Sequence, residues 1–440
     1  MREKIVLIGA GSAMFTRGLL LDLLRRGWDC DLALVDTNSE ALAVAEGLCK
    51  KMLAAKQAPV TLTTSADRRQ VLPEATVVIT TIGVGGRPAW EQDVLIPRKY
   101  GIFQPVGDSV MPGGTSRCLR MIPAMVGIAQ DVLDLAPDAL FINYANPMSA
   151  ICRAVRKATG AEIVGLCIGV HSTERQIAKW FSLDPSSLRY SAIGINHLTW
   201  FVEVRANGKD LLPRMREYAE RQLATRDADS ITDPFCLHLL RLFGAYPAPG
   251  DRHVSEFFPE FFPHGGHFGK TLGVDRFSFE GTISTGDAAY AEMKELAFAP
   301  GTADHLFAEA GGEHSQALEI IDSVRQGAGR TYSASLPNQG QVPNLPLESV
   351  VEAPAVATAQ GLKPIAQRPL PPAITGTLAR RFAWVETIVE AALEGSREKF
   401  IQALILDGAV GDVDSAERMA DELLAAQAEY LPGFRQASAD

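Results

Sequence analysis

The run Lys4-Ile5-Val6-Leu7-Ile8 leads directly into Gly9-Ala10-Gly11-Ser12, and a second apolar run, Leu32-Ala33-Leu34-Val35, ends in Asp36. A strand that breaks into a tight glycine turn before a helix constrains the fold more than any other feature of this chain. Gly9 permits the turn, and Gly11 lets backbone amides approach a pyrophosphate seated on the positive end of the following helix. Asp36 then takes the adenosine ribose hydroxyls, which favours NAD over NADP. Met14 stands where the usual fingerprint has its third glycine. The cofactor set read from this segment is Gly9, Gly11, Ser12 and Asp36, joined by Gly83 after the fourth strand.

Strand patterns near 4–9, 31–36, 60–64, 76–82, 138–143 and 162–167 alternate with helical ones near 13–26, 39–56, 116–134 and 148–159. The alternation predicts a Rossmann-like, doubly wound parallel sheet. Pro112-Gly113-Gly114-Thr115 reads as a flexible turn before the helix at 116, and Asn146-Pro147 starts the next helix. Past residue 185 two adjacent strands, Arg189 to Ile195 and Leu198 to Arg205, lead to an Asn207-Gly208 turn, after which helices predominate. The expected organisation is a dinucleotide domain over 1–185 and a mixed α/β, helix-rich second domain over 186–440. Leu336 to Pro372 reads as a loop packed on that second domain, followed by helices near 374–395, 396–407 and 414–430.

Composition narrows the partners. The 440 residues are 47% apolar and 21% charged, which describes a globular chain with ample core. Fifty-two acidic against 42 basic side chains give a net charge of −10, and no basic run offers nucleic acid or an anionic membrane a foothold. A small-molecule partner is expected. The six cysteines form no Cys-x-x-Cys pair and the sequence opens on a strand instead of a signal peptide, so a reducing cytoplasm is the expected location.

Cys167 ends the sixth strand, and Gly194-Ile195-Asn196-His197 follows about thirty residues on. Cys167 and His197 either pack as a small filler and a capping side chain or share a divalent cation. Two protein ligands would suit an open site for Mn²⁺, whereas structural zinc asks for four.

The succession Gly9 to Ser12, Gly107-Asp108 with Pro112-Gly113-Gly114, Asn143-Tyr144-Ala145-Asn146-Pro147-Met148, Cys167 and Gly194 to His197 resembles the NAD-dependent family-4 glycoside hydrolases. Tyr246-Pro247, Gly250-Asp251-Arg252-His253, Glu256-Phe257, Pro337 to Gln341 and Asn344-Leu345-Pro346 look most like the α-galacturonidase branch. The resemblance implies a fold like that of lactate and malate dehydrogenases, NAD⁺ as cofactor, Mn²⁺ on Cys167 and His197, and a homodimer or homotetramer. It also implies a mechanism, and this family is a known exception to the two-carboxylate rule. NAD⁺ takes hydride from C3 of a sugar, a base removes the acidified C2 proton, the glycosidic oxygen leaves C1, water adds, and the hydride returns.

Residue roles follow from the same resemblance. Asp251 and His253 are the base candidates. Asn146 binds sugar hydroxyls close to the metal, and Asp108 faces nicotinamide and substrate. Arg117, Arg120, Arg252 and His253 gather near an acidic sugar, a uronide or a sulfoquinovoside, because guanidinium binds planar anions bidentately. One departure stands out. The Cys-His-x-Val signature of many relatives is here Cys167-Ile168-Gly169-Val170-His171. Ile168 neither donates a proton nor binds a cation, so His171 becomes the candidate acid or that role is vacant. A plain hydroxyacid or sugar dehydrogenase and a non-catalytic NAD sensor are the rival readings.

Overall fold

The computed structural model describes residues 2–224, 231–301, 307 and 315–434. Its first half is β1 (Glu3–Ile8), α1 (Ala13–Arg26), β2 (Cys30–Val35), α2 (Ser39–Lys56), β3 (Val60–Ser65), β4 (Val77–Thr80), α3 (Gly86–Lys99), α4 (Met111–Leu135), β5 (Leu140–Asn143), α5 (Met148–Thr159), β6 (Ile163–Gly165) and α6 (Gly169–Trp180). The strands lie parallel in the order β3-β2-β1-β4-β5-β6, the doubly wound Rossmann arrangement. Near-continuous apolar strands such as β1 and β4 are buried because helices cover both faces. The chain therefore has the lactate/malate dehydrogenase-like α/β class expected of it.

The second half continues with β7 (Leu188–Ile195), β8 (Leu198–Ala206), β9 (Lys209–Asp210), α7 (Leu212–Leu223), α8 (Pro234–Phe243), β10 (Tyr246–Ala248) and α9 (Asp251–Val254). After a short hairpin of β11 (Gly266–His267) and β12 (Lys270–Thr271) come α10 (Phe279–Phe298), α11 (Ser315–Gln326), β13 (Thr331–Pro337), β14 (Val350–Thr358), β15 (Gly361–Pro364), α12 (Pro372–Glu394), α13 (Arg397–Asp407) and α14 (Val413–Ala426). This half does not build a separate sheet. β13 pairs antiparallel with β6 at Ser335 and Gly165, and the same sheet runs on through β14, β7, β8 and β10.

Three local expectations are corrected. The segment 336–372 is no loop: it carries the end of β13, then β14 and β15. Pro354 lacks the N–H a central strand needs, but it falls where the neighbour of β14 changes from β7, paired at Glu352, to β15, paired from Ala355. The Pro112-Gly113-Gly114-Thr115 stretch is the first turn of α4. Its glycines are there for close packing, since a Cβ on Gly113 would lie 2.8 Å from Asp93 O and one on Gly114 2.4 Å from Ser109 C. Helix α3 was not foreseen, because Gly86, Pro88 and Pro97 interrupt its apolar pattern.

Candidate active site and cofactor cleft

At the C-terminal ends of β1, β2 and β4 opens a cavity of about 1040 Å³, lined by Gly9, Gly11, Ser12, Asp36, Gly83 and Arg117 among others. Gly9 holds a φ of +95°, and a Cβ there would sit 2.7 Å from the Thr81 carbonyl carbon. A Cβ on Gly11 would lie 2.6 Å from the Ala41 methyl and 2.7 Å from Asp36 Oδ2. The turn is thus a cradle that only glycines leave open. Asp36 accepts from Gly11 N at 2.8 Å and from Asn38 N at 2.9 Å, which fixes its carboxylate at the cleft rim. All five residues of the expected cofactor set line this one cavity. A second cavity, about 450 Å³, lies by the opposite ends of β5 and β6 and holds none of the candidate cofactor, metal, substrate or catalytic residues.

Arg117 joins the cleft to a second cluster, because its Nε donates to Asn146 O at 3.1 Å. Asn146 Nδ2 donates to Asp108 Oδ2 at 3.0 Å, and Ser109 Oγ donates to Asp108 Oδ1 at 2.8 Å. The same Ser109 oxygen lies 2.8 Å from His197 Nδ1. Its one proton is committed to Asp108, so it accepts from His197 Nδ1–H, and His197 Nε2 is left with a free lone pair. The His253 ring lies 4.1 Å from that of His197, centre to centre. Ligand atoms of Asp108, His197 and His253 all lie within 4.8 Å of one another.

The electrostatics suit a cation. Burial lowers His197, and burial together with His197 pulls His253 down to about 3, so both imidazoles are neutral and able to bind metal. Burial pushes the Asp108 carboxyl up, but in the acid range, where His197 and His253 carry charge, they and Arg117 outweigh it and hold the group below its ordinary value, so it is ionised at neutral pH. Asn146 Oδ1 and His253 Nδ1 are buried without a hydrogen-bond partner. Each such atom costs about 1–3 kcal/mol, which a shared cation would relieve. The residues therefore fit a divalent ion.

The turn bearing His197 is held from beneath. His197 takes a φ of +67° between β7 and β8. Glu352 on β14 accepts from Thr199 Oγ1 at 3.1 Å, Asn196 Nδ2 at 3.3 Å and Ser333 Oγ at 3.3 Å. The loop bearing Asp108 is held likewise by Glu256, whose Oε1 accepts from Val106 N and Gly107 N, both at 2.8 Å. Reading 336–372 as a loop hid Glu352. Glu256 stood in a quoted motif, but nothing local links it to residue 107.

The remaining candidates have other partners. The Asp251 carboxylate accepts from Phe235 N at 2.9 Å and Cys236 N at 2.8 Å, buried first-turn amides of α8, and it pairs with His267 Nε2 at 2.9 Å. Fully buried, it caps a helix and pairs with a buried histidine, which removes it from the base role, whereas the Asp108 side chain keeps 17% of its surface exposed. His171 Nδ1 is bonded at 2.9 Å to Glu174, one turn along its own helix, which turns it from the acid role. Arg120 is buried against Asp93 in a two-bond pair and offers nothing to a substrate. Cys167 accepts from Gly169 N at 3.3 Å and is not one of the mutually close ligand trio. Arg252 donates to Thr282 at 3.0 Å while its Nε is buried and unpaired.

A sequence profile for the family 4 glycosyl hydrolases matches residues 4–183, and one for their C-terminal domain matches 192–410. The chain belongs to glycosyl hydrolase family 4. It is accordingly a hydrolase of glycosidic bonds. An α-galactosidase of Rhizobium meliloti is 31% identical over 99% of this chain and 90% of its own length. An α-galacturonidase of Bacillus subtilis is 30% identical over 96% of each chain. The fold of this family 4 member matches a 6-phospho-α-glucosidase from gut microorganisms solved with NAD and Mn²⁺, at a TM-score of 0.85 and 18% identity over 99% of this chain and all of that one. The lactate dehydrogenase of Eimeria maxima, solved with NADH and oxamate, superposes at a TM-score of 0.53 and 18% identity over 90% of this chain and 96% of its own. No helix among the described residues is long and apolar enough to cross a membrane.

Proposed function

We propose that this family 4 glycosidase uses NAD⁺ and Mn²⁺ to cleave a small α-linked glycoside of an acidic sugar, a uronide above all. The observation that carries the reading is the junction of the glycine cradle with the Asp108–Ser109–His197–His253 cluster through Arg117 and Asn146. When bound, NAD⁺ would supply a hydride acceptor for C3 and Mn²⁺ a positive charge beside the C3 oxygen.

The chain's own residues do the rest. Asp36 orients the dinucleotide at its ribose. His197 and His253 would hold the cation with their neutral nitrogens, and Cys167, two residues past β6, would add a thiolate. Ser109 fixes the His197 ring through its Nδ1, as a supporting partner does in metal sites. Asn146 presents an amide to sugar hydroxyls. Asp108, ionised at neutral pH, takes the C2 proton. Arg117 and Arg252 bind the sugar carboxylate, with the unpaired Arg252 Nε facing that task. The α-galacturonidase relative supports the acidic sugar.

The reading extends to a cytoplasmic homodimer or homotetramer. None of the six cysteines forms a disulfide, which suits a reducing compartment, and large apolar side chains left exposed, such as Leu347 and Leu242, suit a subunit interface. The test is a panel of nitrophenyl α- and β-glycosides of galacturonate, glucuronate, sulfoquinovose and neutral hexoses, with NAD⁺ and Mn²⁺ each present or omitted. Release from the α-uronide with both present, and not from neutral sugars, supports the assignment. Net NADH accumulation would instead make the protein a dehydrogenase, and NAD binding with no cleavage would make it a sensor.

A further inference from the structure

Among the described residues lining the cofactor cleft, all but one come from positions 8–128. The exception is Tyr430, which arrives from the far end of the sequence, just after α14. Its ring is seated over Gly85, where a Cβ would lie 2.9 Å from Tyr430 Cε2 and 2.4 Å from the Ala89 methyl. Gly85 also holds a φ of +77°, so the loop that receives the ring is one that only glycine allows without strain.

The segment is fastened without Tyr430. Buried Gln427 donates through Nε2 to Ala89 O at 2.8 Å and to Asp93 Oδ1 at 3.2 Å. Asp93 receives both terminal nitrogens of Arg120, at 2.9 and 2.5 Å, and Arg120 Nε donates to Val84 O at 2.9 Å. An unbroken polar chain thus runs from the C-terminal segment to the loop 83–85 that faces the cleft. The anchoring lies in buried charges that are costly to separate. The half-buried Tyr430 ring supplies apolar surface at the wall instead.

We propose that Tyr430 is a cofactor-retaining residue, whose ring closes the cleft wall at Gly85 and slows dinucleotide release. The inference rests on the NAD reading above and adds to it. Its rationale is the redox cycle: hydride taken from the sugar is returned in the same turnover, so NAD⁺ is regenerated in place. Slow release then costs no turnover. A dehydrogenase, whose coenzyme leaves every cycle, could not keep such a wall closed.

The test is binding, not activity. NAD⁺ affinity by calorimetry and NADH release by stopped-flow fluorescence with an NAD⁺ chase are measured on the full chain and on Tyr430→Ala, Tyr430→Leu and Tyr430→Phe. Loss of the ring in the Ala and Leu variants speeds release about tenfold, the worth of one aromatic stacking contact, while Tyr430→Phe keeps the native rate. The thermal midpoint of the cofactor-free protein is the same for all four. Native release rates in the Ala and Leu variants would overturn the proposal, as would a lowered midpoint of the cofactor-free protein with no change in release. Failure of the unaltered chain to bind NAD⁺ would overturn the NAD reading itself and this inference with it.

Discussion

Replacing Glu256 by Gln separates its charge from its hydrogen bonds. The side chain is 1% exposed; Oε1 holds Val106 N and Gly107 N, and Oε2 is buried with no partner. Burial first, and the charge of Asp108 second, push this carboxyl from an ordinary 4.5 up to about 8. The folded protein therefore keeps a proton here at neutral pH that the unfolded chain has released. Between about pH 4.5 and pH 8 the unfolded state binds fewer protons, so the contribution of this group to stability is full below the window and falls as pH rises through it. The gap between the two values corresponds to about 5 kcal/mol across that range. An amide accepts the same two backbone N–H groups and has no proton to lose. Glu256→Gln is thus expected within about 1 kcal/mol of the parent at pH 5 and several kcal/mol more stable at pH 9. Urea unfolding of both proteins at pH 5, 7 and 9, in EDTA and without cofactor, reads the difference directly. Parallel pH profiles, or a Gln variant less stable at every pH, would refute the reasoning, because they require an ionised Glu256 in the fold.

Asp36→Ser removes the carboxylate proposed to meet the ribose hydroxyls, and NAD⁺ affinity is expected to fall about tenfold with less effect on NADP⁺, as measured by calorimetry. His197→Ala and His253→Ala are each expected to weaken Mn²⁺ binding by about 10–100-fold in a metal titration, and Ser109→Ala to do so less strongly by releasing the His197 ring. Asp251→Ala is expected to destabilise the fold by about 3 kcal/mol, since it strands His267 and two α8 amides, while the folded fraction keeps its kcat; a selective loss of kcat would restore Asp251 to the base role.

The glycine cradle and the cleft it opens were legible because their information is local. A strand, two glycines and an acidic residue at the end of the next strand sit within about thirty residues, and each answers to a backbone requirement that sequence displays. The Asp108 cluster is different. Asp108, His197 and His253 come from a loop, a hairpin turn and a short helix that only the long sheet brings together, so the sequence could nominate them by resemblance but not join them. Asp251 sat in the same motif and looked equally apt. Its capping of α8 depends on a contact with residues 235 and 236 that no periodicity announces. β14 and α3 were hidden by proline and glycine, which read as loop unless the neighbouring backbone that requires or tolerates them is known. Tyr430 lies nearly 350 residues beyond the loop it covers, a separation that no local pattern bridges.

The most direct test of the account is nitrophenyl α-galacturonide turnover in D₂O with NAD⁺ and Mn²⁺, following nitrophenol, NADH absorbance and deuterium in the released sugar together. The account predicts nitrophenol release that stops when bound NAD⁺ is stripped and none is added back, no net NADH, and deuterium at C2 of the product. Cleavage that proceeds without NAD⁺ and leaves C2 unlabelled would contradict it.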